Sequence, residues 1–130
     1  MARVFVDTSA IYALLDRRDG NHRAARTAFE RLRKQRADPI ITNFVVAEAH
    51  ALLLARLGPD VARRWLGRII WHIERVTVED EAAALDIVCG YGDKTYSFTD
   101  ATSFAVMKRL RIARVAAFDR HFMQFGFELI

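Results

Sequence analysis

Four acidic residues, Asp7, Glu48, Asp100 and Asp119, stand where their carboxylates could be brought to a common use. Asp7 follows the apolar run Val4-Phe5-Val6, and Asp119 follows the run from Ala113 to Phe118. Ligands of open α/β sheets bind outside the carboxyl ends of strands, where both acids would fall. Taken singly, each also reads as a helix cap, and Asp100 as a first-turn acid that complements the helix dipole. Glu48 is harder to explain that way. Its helical neighbours three and four residues away are Phe44, Val45, Ala51 and Leu52, so its carboxylate points with an apolar stripe. A carboxylate there needs a cation, an arginine or a proton. An ion pair with an arginine is the plain alternative to a site. Asp100 sits similarly, in register with Phe104 and Met107. Four carboxylates drawn into one cleft repel unless a positive ion lies among them. Hard oxygen ligands favour magnesium or manganese over zinc or copper. Such an ion suits phosphodiester hydrolysis, because it lowers the pKa of water, orients phosphate and stabilises the leaving oxygen.

The elements that must position these acids follow from patterning. Arg3–Val6 reads as a short buried strand, Asp7-Thr8-Ser9 as a cap, and Ala10–Leu15 as a helix. A second helix is predicted from His22 to Gln35, with arginines over most of its surface. Pro39–Thr42 reads as a strand, Asn43 as the cap of a helix to Leu57, and Gly58-Pro59 as the start of another. Arg75–Val78 is expected to be a third strand, followed by a helix over Glu79–Val88. Ser97 caps a helix ending near Leu110, Ala113–Phe118 forms a fourth strand, and Phe127–Leu129 an edge strand. Strands alternating with helices predict an α/β sandwich around a mainly parallel sheet.

With 130 residues and 52% hydrophobic composition, the chain suffices for one domain with a real core. The lone Cys89 excludes an intramolecular disulfide and a thiol zinc site. The longest apolar stretch, Phe44 to Ala55, is broken by Glu48 and His50 and is too short to span a bilayer. A soluble cytoplasmic protein is expected. The net charge is +4, but with the four acids set aside, twenty basic side chains face twelve acidic ones. That balance points to a polyanion held around an acidic pocket. His22, His50, His72 and His121 form no zinc or general-base motif; His121 lies near the acids and could touch phosphate, but surface or helix packing is the plainer expectation. Lys94 and Arg120 flank the acids and are candidate phosphate contacts, as are Arg23 and Arg26 of the second helix, although a charge-rich helical face is more often simply solvated. A receiver domain is disfavoured because Asp7 stands alone and no lysine follows Phe118. Ser9 occupies the position where an Asp-x-Asp phosphatase needs its second acid, and no glycine-rich nucleotide loop occurs.

The sequence resembles the PIN-domain nucleases, specifically VapC-type toxins of prokaryotic toxin–antitoxin pairs, over essentially its whole length. The likeness rests on Val6-Asp7-Thr8-Ser9-Ala10, Glu48, the segment Tyr96 to Phe104, and Ala117-Phe118-Asp119-Arg120-His121-Phe122. It implies a three-layer α/β/α sandwich, with residues 1–130 as one PIN domain. It also implies a Mg2+- or Mn2+-dependent endoribonuclease whose acidic quartet is Asp7, Glu48, Asp100 and Asp119. Asp7 and Asp100 would be the main metal ligands. Asp119 would bind directly or through water, and Glu48 would bind metal or help place the attacking water. Thr8 and Thr99 would hold carboxylates in orientation, unless they are cap hydroxyls only. The resemblance further implies a homodimer and a cognate VapB-type antitoxin that inserts a C-terminal segment into the cleft. A PIN nuclease of RNA maturation or decay, and a non-catalytic RNA-binding module, are the alternatives.

Overall fold

Val4-Phe5-Val6 has no polar face to offer water, and all three side chains are fully buried. Only a strand covered on both sides can do this. The computed structural model describes residues 2–130. β1 (Arg3–Val6) leads into α1 (Thr8–Leu15) and α2 (His22–Lys34). β2 (Asp38–Thr42) leads into α3 (Asn43–Leu57) and α4 (Pro59–Gly67). β3 (His72–Glu74) precedes α5 (Val78–Gly90) and α6 (Phe98–Leu110), and β4 (Arg114–Ala116) precedes α7 (His121–Gln124) and β5 (Glu128–Leu129). The strands form one sheet in the order β3-β2-β1-β4-β5, with every pairing parallel. Helices on both faces complete the α/β/α sandwich expected from the alternation.

Three local expectations are corrected. The third strand is His72–Glu74 rather than Arg75–Val78. Thr77 instead caps α5, its hydroxyl accepting from Asp80 N–H while Asp80 accepts from Thr77 N–H, each at 3.0 Å. The cap of α3 is Thr42, whose Oγ1 accepts from Val45 N–H at 3.1 Å. Asn43 reaches outward, and its Oδ1 accepts from Val76 N–H at 2.8 Å. β4 also stops at Ala116 rather than Phe118, because the Phe118 N–H turns to the Ser9 hydroxyl at 3.0 Å.

The central core joins Phe5, Ile41, Val45, Phe104, Met107, Val115 and Phe122. An aromatic cluster extends it. Phe104 stacks on Phe125 with centroids 4.5 Å apart and meets Tyr96 edge-on at 5.1 Å. On the far side of α6, Arg109 clamps Asp80 of α5 through Nε and Nη2, and pairs with Glu74 at 3.0 Å.

Candidate active site

Asp7 is the residue on which β1 ends and α1 begins. Its N–H donates to Ala116 O at 3.0 Å, so the ladder with β4 runs one residue past the strand. Its Oδ2 caps α1 by accepting from Ser9 N–H at 3.1 Å and from Ser9 Oγ at 2.7 Å. Ser9 Oγ in turn accepts the Phe118 N–H, pinning the chain that leaves β4. Asp7 is only 3% exposed. Burial pushes its pKa up to about 6, against the pull of the two Ser9 hydrogen bonds and with help from the charges of Asp100 and Glu48.

Asp100 occupies the third position of α6, where Ser97 and Asp100 form a capping box. Its Oδ2 accepts from Ser97 N–H at 3.3 Å and lies 2.7 Å from His121 Nδ1. Asp119 lies between β4 and α7, and its Oδ1 accepts from His121 N–H at 2.7 Å, with His121 Nδ1 at 3.1 Å. Glu48, half-buried on α3, has no ion-pair partner among the described residues. All four acids line one cleft of about 410 Å³ at the carboxyl end of the sheet, with Thr8, Ser9, Ser97, Thr95 and His121 between them and Leu52 as an apolar wall.

One feature recurs in the three aspartates. Each spends a single oxygen on protein donors. The other (Asp7 Oδ1, Asp100 Oδ1 or Asp119 Oδ2) carries no protein hydrogen bond among the described residues. None of these free oxygens is sealed from solvent. Thr8 Oγ1 is a buried oxygen without a partner on the same cleft wall. Carboxylate oxygens without protein partners, on residues that line one cleft, are a donor set that a cation satisfies and a neutral ligand does not. Ligand atoms of Asp100, Asp119 and His121 lie within 4.8 Å of one another, whereas Asp7 and Glu48 line the same cleft outside that close group.

Not every expected residue reaches the cleft. The Thr99 side chain does not line it, and the Thr99 carbonyl accepts from Thr102 Oγ1 at 2.8 Å. Lys94 and Arg120 are exposed at its margin without lining it, and Lys94 lies 3.8 Å from Asp93. Arg23 and Arg26 sit along α2 with Arg31 and Lys34, on a separate surface. Two residues enter that patterning did not assign. His121 does pack edge-on against Tyr96, 5.5 Å between centroids, as a packing residue would. Its ring nitrogen, however, faces the acids. Ser9 is the other, and its signal was the Asp-x-Ser spacing at a helix start, where a hydroxyl two residues on can reach the capping carboxylate.

Similarity to known proteins agrees with this geometry. The PIN domain family model matches residues 4–128. The 23S rRNA-specific endonuclease VapC20 of Mycobacterium tuberculosis, in strains CDC 1551 and H37Rv, is 34% identical over 128 residues, covering 95% of each chain. The crystal structure of that protein, described as a sarcin–ricin loop cleaving toxin, superimposes with a TM-score of 0.85 over 95% of both chains. Family model, sequence and backbone thus converge over almost the whole length, and the chain belongs to the PIN-domain family, among its VapC-type toxins.

Proposed function

We propose that the protein is a Mg2+- or Mn2+-dependent endoribonuclease, the toxin of a VapBC-type pair, acting on a ribosomal RNA loop such as the sarcin–ricin loop of 23S rRNA. The observation that carries this reading is the set of three aspartates lining one cleft, each with one oxygen held by the protein and the other without a protein partner. Asp7 and Asp100 are the main ligands, Asp119 completes the set directly or through water, and Thr8 Oγ1 adds a neutral oxygen beside them. When bound, the ion supplies Lewis-acid chemistry, lowering the pKa of water and polarising the phosphate. Glu48, which lines the same cleft without an ion-pair partner among the described residues, orients the attacking water and accepts its proton at a carboxylate oxygen. The Ser9 and Ser97 donors keep Asp7 and Asp100 from rotating as the phosphate enters. Lys94 and Arg120 at the margin, and Arg23 and Arg26 on α2, hold the RNA backbone electrostatically. Residues 1–130 act as one catalytic unit, in the cytoplasm where ribosomes and antitoxin meet. Among the described residues no helix is long and apolar enough to cross a membrane. A VapB-type antitoxin covers the cleft, and two copies of the chain pair to set two basic faces around one RNA.

The test is cleavage of a sarcin–ricin hairpin and of intact ribosomes by wild type and by Asp100→Asn, which retains the Ser97 cap acceptor. Cleavage that needs added Mg2+ or Mn2+ and disappears in the variant is the expected result. Undiminished cutting in excess chelator would overturn the metal mechanism, and intact ribosomes with other RNAs cut would overturn the substrate.

A further inference from the structure

Asp100 and Asp119 come from different elements and carry like charge, so something must hold them together before any cation arrives. We propose that His121 is the positioning residue that does so: its Nδ1–H donates to Asp100 Oδ2 and reaches Asp119 Oδ1, leaving Asp100 Oδ1 and Asp119 Oδ2 to the cation. This inference rests on the metal-dependent reading above and assigns a role to a residue outside the acidic quartet.

The geometry is specific. Nδ1 lies 2.7 Å from Asp100 Oδ2 and 3.1 Å from Asp119 Oδ1, and no other side chain bridges the two acids among the described residues. Ionised carboxylates only accept hydrogen bonds, so Nδ1 must carry the hydrogen. The opposite nitrogen, Nε2, lies 3.4 Å from Thr95 Oγ1, whose hydroxyl can donate to it and select that tautomer. Tyr96, 7% exposed, meets the ring edge-on at 86° and limits its rotation. Asp119 Oδ1 is held a second time by the His121 N–H at 2.7 Å, so one residue grips it through backbone and ring together. A hydrogen-bearing Nδ1 has no lone pair to give a metal, and hard cations prefer oxygen to imidazole. His121 therefore acts through the carboxylates rather than as a ligand. Removing such an outer partner typically weakens metal binding about 10–100-fold.

The experiment measures Mn2+ binding to the full chain, using the electron paramagnetic resonance signal of free Mn2+, for wild type, His121→Phe and His121→Asn. Phenylalanine keeps the packing on Tyr96 without a donor, whereas asparagine places an N–H near Nδ1. His121→Phe is expected to bind Mn2+ about 10–100-fold more weakly. His121→Asn is expected to recover most of that loss, and spin-echo spectra of the wild-type complex to show no directly coordinated imidazole nitrogen. Melting temperatures in chelator identify variants that fold, with His121→Ala as the donor-free comparison if phenylalanine disturbs folding. Wild-type affinity in a folded donor-free variant, failure of asparagine to recover binding, or a coordinated nitrogen would each overturn the assignment. A wild-type chain that binds no Mn2+ would instead overturn the metal-dependent reading on which it rests.

Discussion

The hydroxyl of Ser9 donates to Asp7 Oδ2 at 2.7 Å while accepting the Phe118 N–H at 3.0 Å, so one oxygen ties an acid of the cleft to the chain leaving β4. Ser9→Ala breaks both bonds and strands the Phe118 amide. A loss of about 1–3 kcal/mol of stability is expected. Because the Ser9 hydroxyl bond opposes the upward shift of Asp7, its loss raises that pKa further, while the Ser9 backbone bond remains. Mn2+ titrations at several pH values should show binding that begins at higher pH in Ser9→Ala than in wild type.

Asp7 itself opposes folding at neutral pH when no cation is present. Its folded pKa of about 6 exceeds the ordinary 3.8, so the native state holds the proton more tightly than the unfolded chain. The sign is the reverse of an ion-paired aspartate: the contribution is present below pH 3.8 and is lost as pH rises towards about 6. The difference amounts to about 3 kcal/mol. Asp7→Asn should therefore melt higher than wild type at pH 7.5 in chelator, lose that advantage near pH 4, and cleave no RNA. Equal melting curves at pH 7.5 would refute the account.

Arg109 grips Asp80 through two nitrogens, at 3.0 and 2.9 Å, and Glu74 through a third, joining α6 to α5 and β3 away from the cleft. Burial raises the Asp80 pKa, but the Arg109 and Thr77 hydrogen bonds outweigh it and hold the carboxyl below its ordinary value. That stabilisation is present above pH 3.8 and is lost as pH falls towards the lower folded value. Arg109→Met should cost about 2–3 kcal/mol at pH 7, somewhat under the loss for fully buried pairs because Arg109 is partly exposed. Urea unfolding should show the deficit shrinking in acid, with RNA cleavage per folded molecule unchanged.

The arginines of α2 offer charge without shape. Arg23→Ala combined with Arg26→Ala should weaken RNA binding at low salt and lower the slope of log affinity against log salt by about 1–2. The rate at saturating RNA should stay the same. Filter binding across a salt series measures both. An unaltered slope would place the RNA path elsewhere.

The acids were legible because each sits in a local pattern with its own physical cause. Asp7 follows three buried apolar strand residues and caps a helix, and Asp100 is the third helical residue of a Ser-x-x-Asp capping box. Where reading failed, a residue had two competing uses. Val76-Thr77-Val78 has β-branched propensity, but the Thr77 hydroxyl is used in capping α5, and the strand falls on His72-Ile73-Glu74. That segment looks too polar for a strand until it is placed at the sheet edge, with one side facing solvent. Asn43 lost the cap to Thr42 because its amide serves the Val76 backbone, 33 residues away, a partner no local pattern reveals. His121 shows the same limit. Nothing near it in sequence says that Asp100, 21 residues earlier, will lie against its ring.

The strand order also dictates when a growing chain can first cut RNA. β1 is made well before its neighbour β4, which carries the turn to Asp119, so the cleft joins residues far apart in order of synthesis. At about 5–20 residues per second, translation from Asp7 to Asp119 takes roughly 6–20 s. During that time Asp7, then Glu48 and finally Asp100 are made before the turn that bears Asp119. A nascent chain built on this plan has no complete cleft until the segment bearing Asp119 and His121 has emerged and paired.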